Sequence, residues 1–308
     1  VEQKSKGHVA IDLNTAKIHT RCYTGAKGVQ IVGDVGGDPS APTVVLVHGG
    51  GQTRHSWGGA MHKLVASGHH VVNVDARGHG DSDWAPDGDY TIETLAQDLA
   101  GVIGELPAKP AVVGASMGGA AALYLVGALQ PSLASALILV DIVPMIDPAG
   151  AAKIMDFMNG HADGFATLEE AADAVAAYNP HRPRPATISG LIKNLRRRAD
   201  GRLYWHWDPR FTRGAENTEP QMRVDKLTKA ADGVRIPTLL VRGLKSDIVT
   251  DEGVADLRMR VPQLEVFDVA GAGHMVAGDN NDTFSQGVFD FLQRQSSPKP
   301  VFPGHPGS

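Results

Sequence analysis

Val112-Val113-Gly114-Ala115-Ser116-Met117-Gly118-Gly119-Ala120-Ala121 joins a short apolar run, Ala111 to Val113, to an Ala/Leu-rich run from Ala120 to Leu129. At the join the chain spells G-x-S-x-G with Ser116 at its centre. An apolar run of strand length, a cluster of small residues and a helical run predict a strand, a sharp turn and a helix. A serine at the apex of such a turn needs neighbours without bulk, and Gly114 and Gly118 let the two backbones pass. The hydroxyl is then exposed above the sheet edge. Free backbone N–H groups of the helix N-terminus lie beneath it, where they favour negative charge developing on a bound oxygen. A pattern with three fixed positions recurs by chance, so the rest of the chain has to supply its context.

The chain has 308 residues, of which 42% are hydrophobic, enough for one large α/β core with an insertion. A net charge of −5 gives no basis for nucleic acid or an anionic membrane as partner and leaves small neutral or weakly charged substrates open. The single cysteine, Cys22, expected on a strand, cannot form an internal disulfide. With no signal-like N-terminal stretch and no run of about 20 apolar residues, the expected location is cytoplasmic. Val1 rather than Met opens the sequence, which leaves room for a removed upstream segment.

In chain order, residues 1 to 40 alternate short β-like runs (Val9 to Leu13, Ile18 to Tyr23, Val29 to Val32) with turn residues, as an antiparallel edge does. Thr43 to Val47 is a continuous apolar run of the kind buried on both faces and is expected at the sheet centre. His48-Gly49-Gly50-Gly51, a helix from about His55 to Ala66, a strand from Val71 to Val74, a polar loop from Asp75 to Asp83 and a helix from about Thr91 to Gly104 follow. Beyond the Ser116 turn, Ala136 to Val140, Thr238 to Val241 and Leu264 to Val269 read as further strands. Strands alternating with helices predict an α/β fold with a doubly wound, mostly parallel sheet and sites at the strands' carboxyl ends. From Pro144 to about Val234 the pattern shifts to helical stretches (Ala149 to Met158, Leu168 to Tyr178, Ile188 to Ala199) without convincing strands. The expected division is a core of residues 1–143 and 235–295, an inserted helical lid over 144–234, and a loosely ordered tail over 296–308.

A nucleophilic serine needs a base and a group that orients the base. His274 lies on the loop after the last strand, before a helix starting near Asn280. For the orienting acid the favoured residue is Asp247, beyond the penultimate strand, with Asp141, at the end of the strand after the serine's helix, as the main alternative. Asp247 also suits capping of the following helix. Two N–H groups aimed at one point would make an oxyanion hole, and Met117, directly after the serine, and Gly50, in the loop after the central strand, are the candidates. His48 is placed to brace that loop.

Together, His48-Gly49-Gly50-Gly51 with Trp57, Asp75-Ala76-Arg77-Gly78-His79-Gly80-Asp81-Ser82, Gly114 to Gly119, Gly243 to Asp247 and Gly273-His274 resemble the α/β-hydrolase superfamily over roughly Ala16 to Leu292. The branch it looks like contains small-molecule esterases, carbon–carbon bond hydrolases and cofactor-free haloperoxidases; members with an aspartate nucleophile are disfavoured by Ser116. The resemblance implies a serine hydrolase that cleaves a small carboxylic ester through an acyl-enzyme. The alternatives are hydrolysis of a carbon–carbon bond in a vinylogous diketone, perhydrolysis, and, from another class, a non-catalytic ligand receptor on the same fold. Trp57, Trp205 and Trp207 are candidate pocket walls, whereas Arg196, Arg197 and Arg198 read as a solvated helix end. No H-E-x-x-H motif and no dinucleotide fingerprint occurs, so neither metal nor cofactor is expected.

Overall fold

The computed structural model describes residues 18–178, 187–212, 220–274 and 281–296. The expected strand Val9 to Leu13, and the tail beyond Ser296, lie outside them.

Among the described residues ten strands form, β1 (His19–Thr24), β2 (Gln30–Gly36), β3 (Thr43–Val47), β4 (His70–Val74), β5 (Ala111–Ala115), β6 (Ala136–Val140), β7 (Leu195–Arg197), β8 (Leu203–Trp205), β9 (Thr238–Gly243) and β10 (Leu264–Val269). Eight of them make one sheet in the order β1-β2-β4-β3-β5-β6-β9-β10. β1 and β2 pair antiparallel, as β2 and β4 do, and every later pairing is parallel. The fold is therefore the mostly parallel α/β sheet that the sequence predicts, with β3 and β5 at its middle. Cys22 is exposed on the edge strand β1.

Alternation along the strands divides the core between two faces. Val45 and Val47 of β3 join Leu137 and Leu139 of β6 on one side; Val44 and Leu46 join Ile138 and Val140 on the other. The first face is covered by α2 (Ile92–Gly104), α3 (Met117–Tyr124, running on into a π turn, Leu125–Leu129) and α6 (Pro220–Gly233). The second is covered by α1 (Gly58–Ala66) and α8 (Asn281–Ser296). Thr91 caps α2 by accepting from the Thr94 N–H, and Thr250 caps α7 (Asp251–Arg260) by accepting from the Gly253 N–H. The N-cap of α7 is thus Thr250 and not Asp247.

Between β6 and β9 the chain leaves the sheet. α4 (Pro148–Asn159) starts on Asp147, whose carboxylate accepts from the N–H groups of Ala149 and Gly150; α5 spans Leu168–Tyr178. The helix expected over Ile188 to Ala199 does not form. Ser189–Asn194 makes a 3-10 turn, and β7 then pairs antiparallel with β8. The reversal is made by Asp200-Gly201, with Gly201 at φ +80° and the Arg198 N–H bonded to the Arg202 carbonyl. The inserted segment has its own apolar cluster around Met158, Phe165, Leu203, Trp205 and Trp207. Its last helix, α6, packs Leu227 and Ala231 into the main core.

Candidate active site

Ser116 sits between β5 and α3 at φ +46°, ψ −113°, a conformation that costs a non-glycine residue energy and is held only because its surroundings fix it. Its N–H bonds the Val140 carbonyl at 3.0 Å and its carbonyl accepts from Ala120 at 2.9 Å. A Cβ on Gly114 would lie 2.6 Å from the Gly118 carbonyl carbon, and one on Gly118 would lie 2.6 Å from the His48 oxygen. Both positions need glycine because backbone meets backbone there, as the motif implies.

β6, β9 and β10 lie side by side, and the loops beyond them meet at one point. Asp141, the first residue after β6, is fully buried and also has a positive φ of 48°. Its Oδ1 accepts from the Gly243 N–H at 3.0 Å; its Oδ2 accepts from the Ser246 hydroxyl at 2.6 Å and lies 2.8 Å from Nδ1 of His274. The carboxylate has no proton to give, so Nδ1 carries one and donates it, which leaves Nε2 as the basic nitrogen. His274 and Ser116 line the same cavity.

The expectation that Asp247 orients His274 is not met. Asp247 is 40% exposed at its side chain and pairs with Lys153 of α4 at 2.9 Å. The residue before it, Ser246, turns its hydroxyl to Asp141, so the loop after β9 supplies a hydroxyl to the pair and not the carboxylate. The physical reason lies in the sheet order: β6 is the neighbour of β9, both end at the same edge, and an aspartate directly after β6 is already within reach of the β10 loop.

The glycine loop after β3 is held by a row of buried histidines. His48 Nδ1 donates to the Gly49 carbonyl (2.8 Å) while its Nε2 accepts from the Ala76 N–H (2.9 Å). His79 Nδ1 donates to the Arg77 carbonyl (3.0 Å) and its Nε2 accepts from the Gly51 N–H (3.1 Å). His206, from the inserted segment, accepts the Gly80 N–H at Nδ1 (2.8 Å). Each ring needs one unprotonated nitrogen for these bonds, and burial agrees: it pushes His48 and His206 below the ordinary histidine range and His79 down to about 3. Gly49 spends its N–H on the Gln52 side chain (3.1 Å) and Gly51 on His79. In this loop the N–H left without an acceptor among the described residues is that of Gly50, the residue expected from sequence. Gly50 and Met117, which opens α3, both line the cavity with Ser116. His79 and His206 were not singled out from the sequence; the signal was His79 inside the Asp75 to Ser82 loop, beside a glycine-rich turn with N–H groups to satisfy.

The cavity has a volume of about 480 Å³ and is walled mainly by apolar side chains of the inserted segment. Trp205 and Trp207 stack there with ring centroids 5.0 Å apart and 11° between planes. Trp57 is absent from the described lining. It is 2% exposed in the core under α1, against Val44, Met61 and Leu64, which corrects its expected place on the pocket wall. Arg196 bonds Asp81 and the Gly80 carbonyl, Arg197 bonds the Gly201 carbonyl and Arg198 lies over the Tyr204 ring, so all three are engaged away from the cavity. Arg223 of α6 does line it, and desolvation lowers its pKa. Among the described residues no group of three His, Cys, Asp or Glu side chains is placed to hold a metal ion. No described helix is long and apolar enough to cross a membrane.

A serine on a positive-φ turn between a central strand and a helix, in an eight-stranded and mostly parallel sheet, is the architecture of the α/β hydrolases. The chain belongs to the alpha/beta hydrolase family, whose sequence profile matches residues 44–286, and it is an enzyme of the hydrolase class. It is 34% identical over 248 residues to the esterase Rv0045c of Mycobacterium tuberculosis, covering 78% of this chain and 79% of that protein. It is 29% identical over 272 residues to the mouse sn-1-specific diacylglycerol lipase ABHD11, covering 83% and 82%. A crystal structure of the mycobacterial esterase superposes with a TM-score of 0.72 over 91% of this chain and 92% of that one, at 29% identity.

Proposed function

We propose that the protein is a serine esterase acting on small carboxylic esters. The observation that carries the reading is the 2.8 Å contact of His274 Nδ1 with the buried Asp141 carboxylate, at the wall of the cavity that Ser116 also lines. Esterase and lipase activities in the names of similar proteins support the ester as substrate class.

His274 Nε2 takes the Ser116 proton as Oγ attacks the ester carbonyl, and the tetrahedral oxyanion accepts hydrogen bonds from the N–H groups of Gly50 and Met117. Collapse breaks the bond to the alcohol oxygen, which leaves with the proton from His274. The acyl group stays on Ser116 until water, giving a proton to His274, attacks it; collapse then breaks the acyl–Oγ bond, His274 returns the proton to Ser116 Oγ and the acid is released. Asp141 holds the imidazole in its Nδ1–H tautomer and stabilises the imidazolium. Residues 144–234 act as a lid whose α4, α5 and β7–β8 portion walls the acyl site with Trp205 and Trp207, while α6 anchors it to the core.

The test is hydrolysis of short p-nitrophenyl esters together with labelling by a fluorophosphonate probe. Wild type should turn over and be labelled at Ser116, and Ser116→Ala should do neither. Wild-type protein that resists the probe would overturn the reading and revive a non-catalytic ligand receptor.

A further inference from the structure

The cavity beside Ser116 has an unusual charge pattern. Its described lining contains no Asp and no Glu, and its one permanently charged group is the Arg223 guanidinium. The other described arginines of the inserted segment are engaged: Arg196 with Asp81, Arg197 with the Gly201 carbonyl, Arg198 with the Tyr204 ring, Arg202 with the carbonyls of Asp163 and Gly164, and Arg210 with Asp208. Among the described residues Arg223 has no hydrogen-bond or ion-pair partner and no carboxylate that opposes the effect of its burial. A guanidinium taken partly out of water without a counter-charge is costly, and proteins pair such groups or leave them for a ligand. The planar fork of arginine matches a carboxylate through two parallel N–H···O bonds, which a lysine in its place could not reproduce.

We propose that Arg223 binds a carboxylate on the substrate, so that the preferred substrates are esters whose acyl chain ends in a carboxylate, such as half-esters of aliphatic dicarboxylic acids. The inference rests on the proposal that Ser116 opens an ester in this cavity. The apolar wall then takes the methylene chain, the Gly50 and Met117 N–H groups take the carbonyl, and Arg223 fixes the far end. Arg223 is a specificity residue in this scheme: it touches the substrate but takes no part in the bond changes.

The experiment compares matched pairs in which a terminal carboxylate replaces a methyl group: monoethyl glutarate against ethyl pentanoate, monoethyl adipate against ethyl hexanoate, and monoethyl suberate against ethyl octanoate. At the best chain length, wild type should favour the half-ester in kcat/KM by about ten- to a hundredfold, the range of a hydrogen-bonded charge pair. Arg223→Gln should bring that ratio close to one, and Arg223→Lys should restore part of it. A wild-type preference for the neutral ester at every length, or an unchanged ratio in Arg223→Gln, would overturn the inference. Binding of the same pairs to Ser116→Ala protein, followed by tryptophan fluorescence, removes the dependence on chemistry. Selective binding of half-esters that is lost on adding Arg223→Gln sustains the role of Arg223 even if the wild type hydrolyses nothing, an outcome that would sink only the esterase reading. Equal binding of both members of each pair would overturn the inference even if Ser116 is labelled and neutral esters are cleaved.

Discussion

The two walls of the cavity are built by different means. On the core side the groups facing Ser116 are positioned through the main chain: the Gly51 N–H bonds His79, the Ala76 N–H bonds His48, and Asp141 accepts the Gly243 N–H. On the inserted side the wall consists of side chains such as Trp205, Trp207 and Met158, packed on one another and tied down at a few places, among them Tyr90 to Asp208 (2.6 Å) and Thr53 to Asn194 (3.1 Å). A hydrogen-bonded backbone admits one geometry, whereas a packed apolar wall changes shape with each substitution at modest cost. The core side therefore suits bond-making, and the inserted side suits selection among substrates.

The comparison is tested hardest by the two aspartates. Asp141→Asn should lower kcat by about three to four orders of magnitude, because the amide favours the wrong imidazole tautomer and cannot stabilise imidazolium. Asp247→Asn, which breaks only a half-exposed pair with Lys153, should stay within about twofold. Steady-state kinetics on one ester decides, and an exchange of these outcomes would return the acid to the β9 loop.

The next effect is on stability in acid. His79 has a folded pKa of about 3, below the ordinary value of 6.5, so the unfolded chain takes up the proton first as pH falls. Stability from this neutral ring is complete above pH ~6.5 and is lost as pH drops towards 3. Between pH 6.5 and 4.5 the loss from His79 alone should be about 2 kcal/mol, at ~1.4 kcal/mol per pH unit. Urea titrations at the two pH values should show it, and His79→Gln, which keeps an acceptor for Gly51, should remove that share of the slope. Equal slopes in the two proteins would show that the ring does not hold the loop by being neutral.

On the inserted wall the expected effect is on selectivity and not on turnover itself. Trp205→Ala or Trp207→Ala should shift the preference among acyl chain lengths of p-nitrophenyl esters by about 1–3 kcal/mol, while labelling by a small serine-directed probe persists. Unchanged relative rates would take both tryptophans out of the acyl site. Lost labelling together with lost solubility would mark them as packing residues of the inserted cluster.

Much of the core was legible in the sequence because its signals are local. Thr43 to Val47 and Ala136 to Val140 are apolar throughout since both faces are covered, and Ser116 announces its turn by the glycines that let two backbones touch. His274 and Gly50, on loops, and Met117, at the start of α3, follow from such strand ends. What escaped was set by distance along the chain. Asp141 and Asp247 both follow strands, and the choice between them depends on β6 lying beside β9, with 97 residues between Val140 and Thr238. The β7–β8 hairpin was hidden by Leu-Arg-Arg-Arg, which reads as helix until Asp200-Gly201 turns it back on Leu203 to Trp205. Arg223 gave no local signal, because an arginine on an amphipathic helix is ordinary until it is seen to line a cavity whose described wall holds no carboxylate.

Ser116 and Asp141 share one property: each holds a polar side chain on a backbone with φ near +47°, at the ends of adjacent strands. Glycine adopts that conformation without penalty, so the fold would rest more easily with no side chain at Ser116, whereas the buried Asp141 carboxylate offsets its strain by accepting from Gly243, Ser246 and His274. Selection for folding alone would favour glycine at Ser116, and on the proposed function turnover is what keeps the serine. A Ser116→Gly chain should accordingly melt a few degrees above wild type while doing nothing to an ester, the mark of a site where durability and work are opposed.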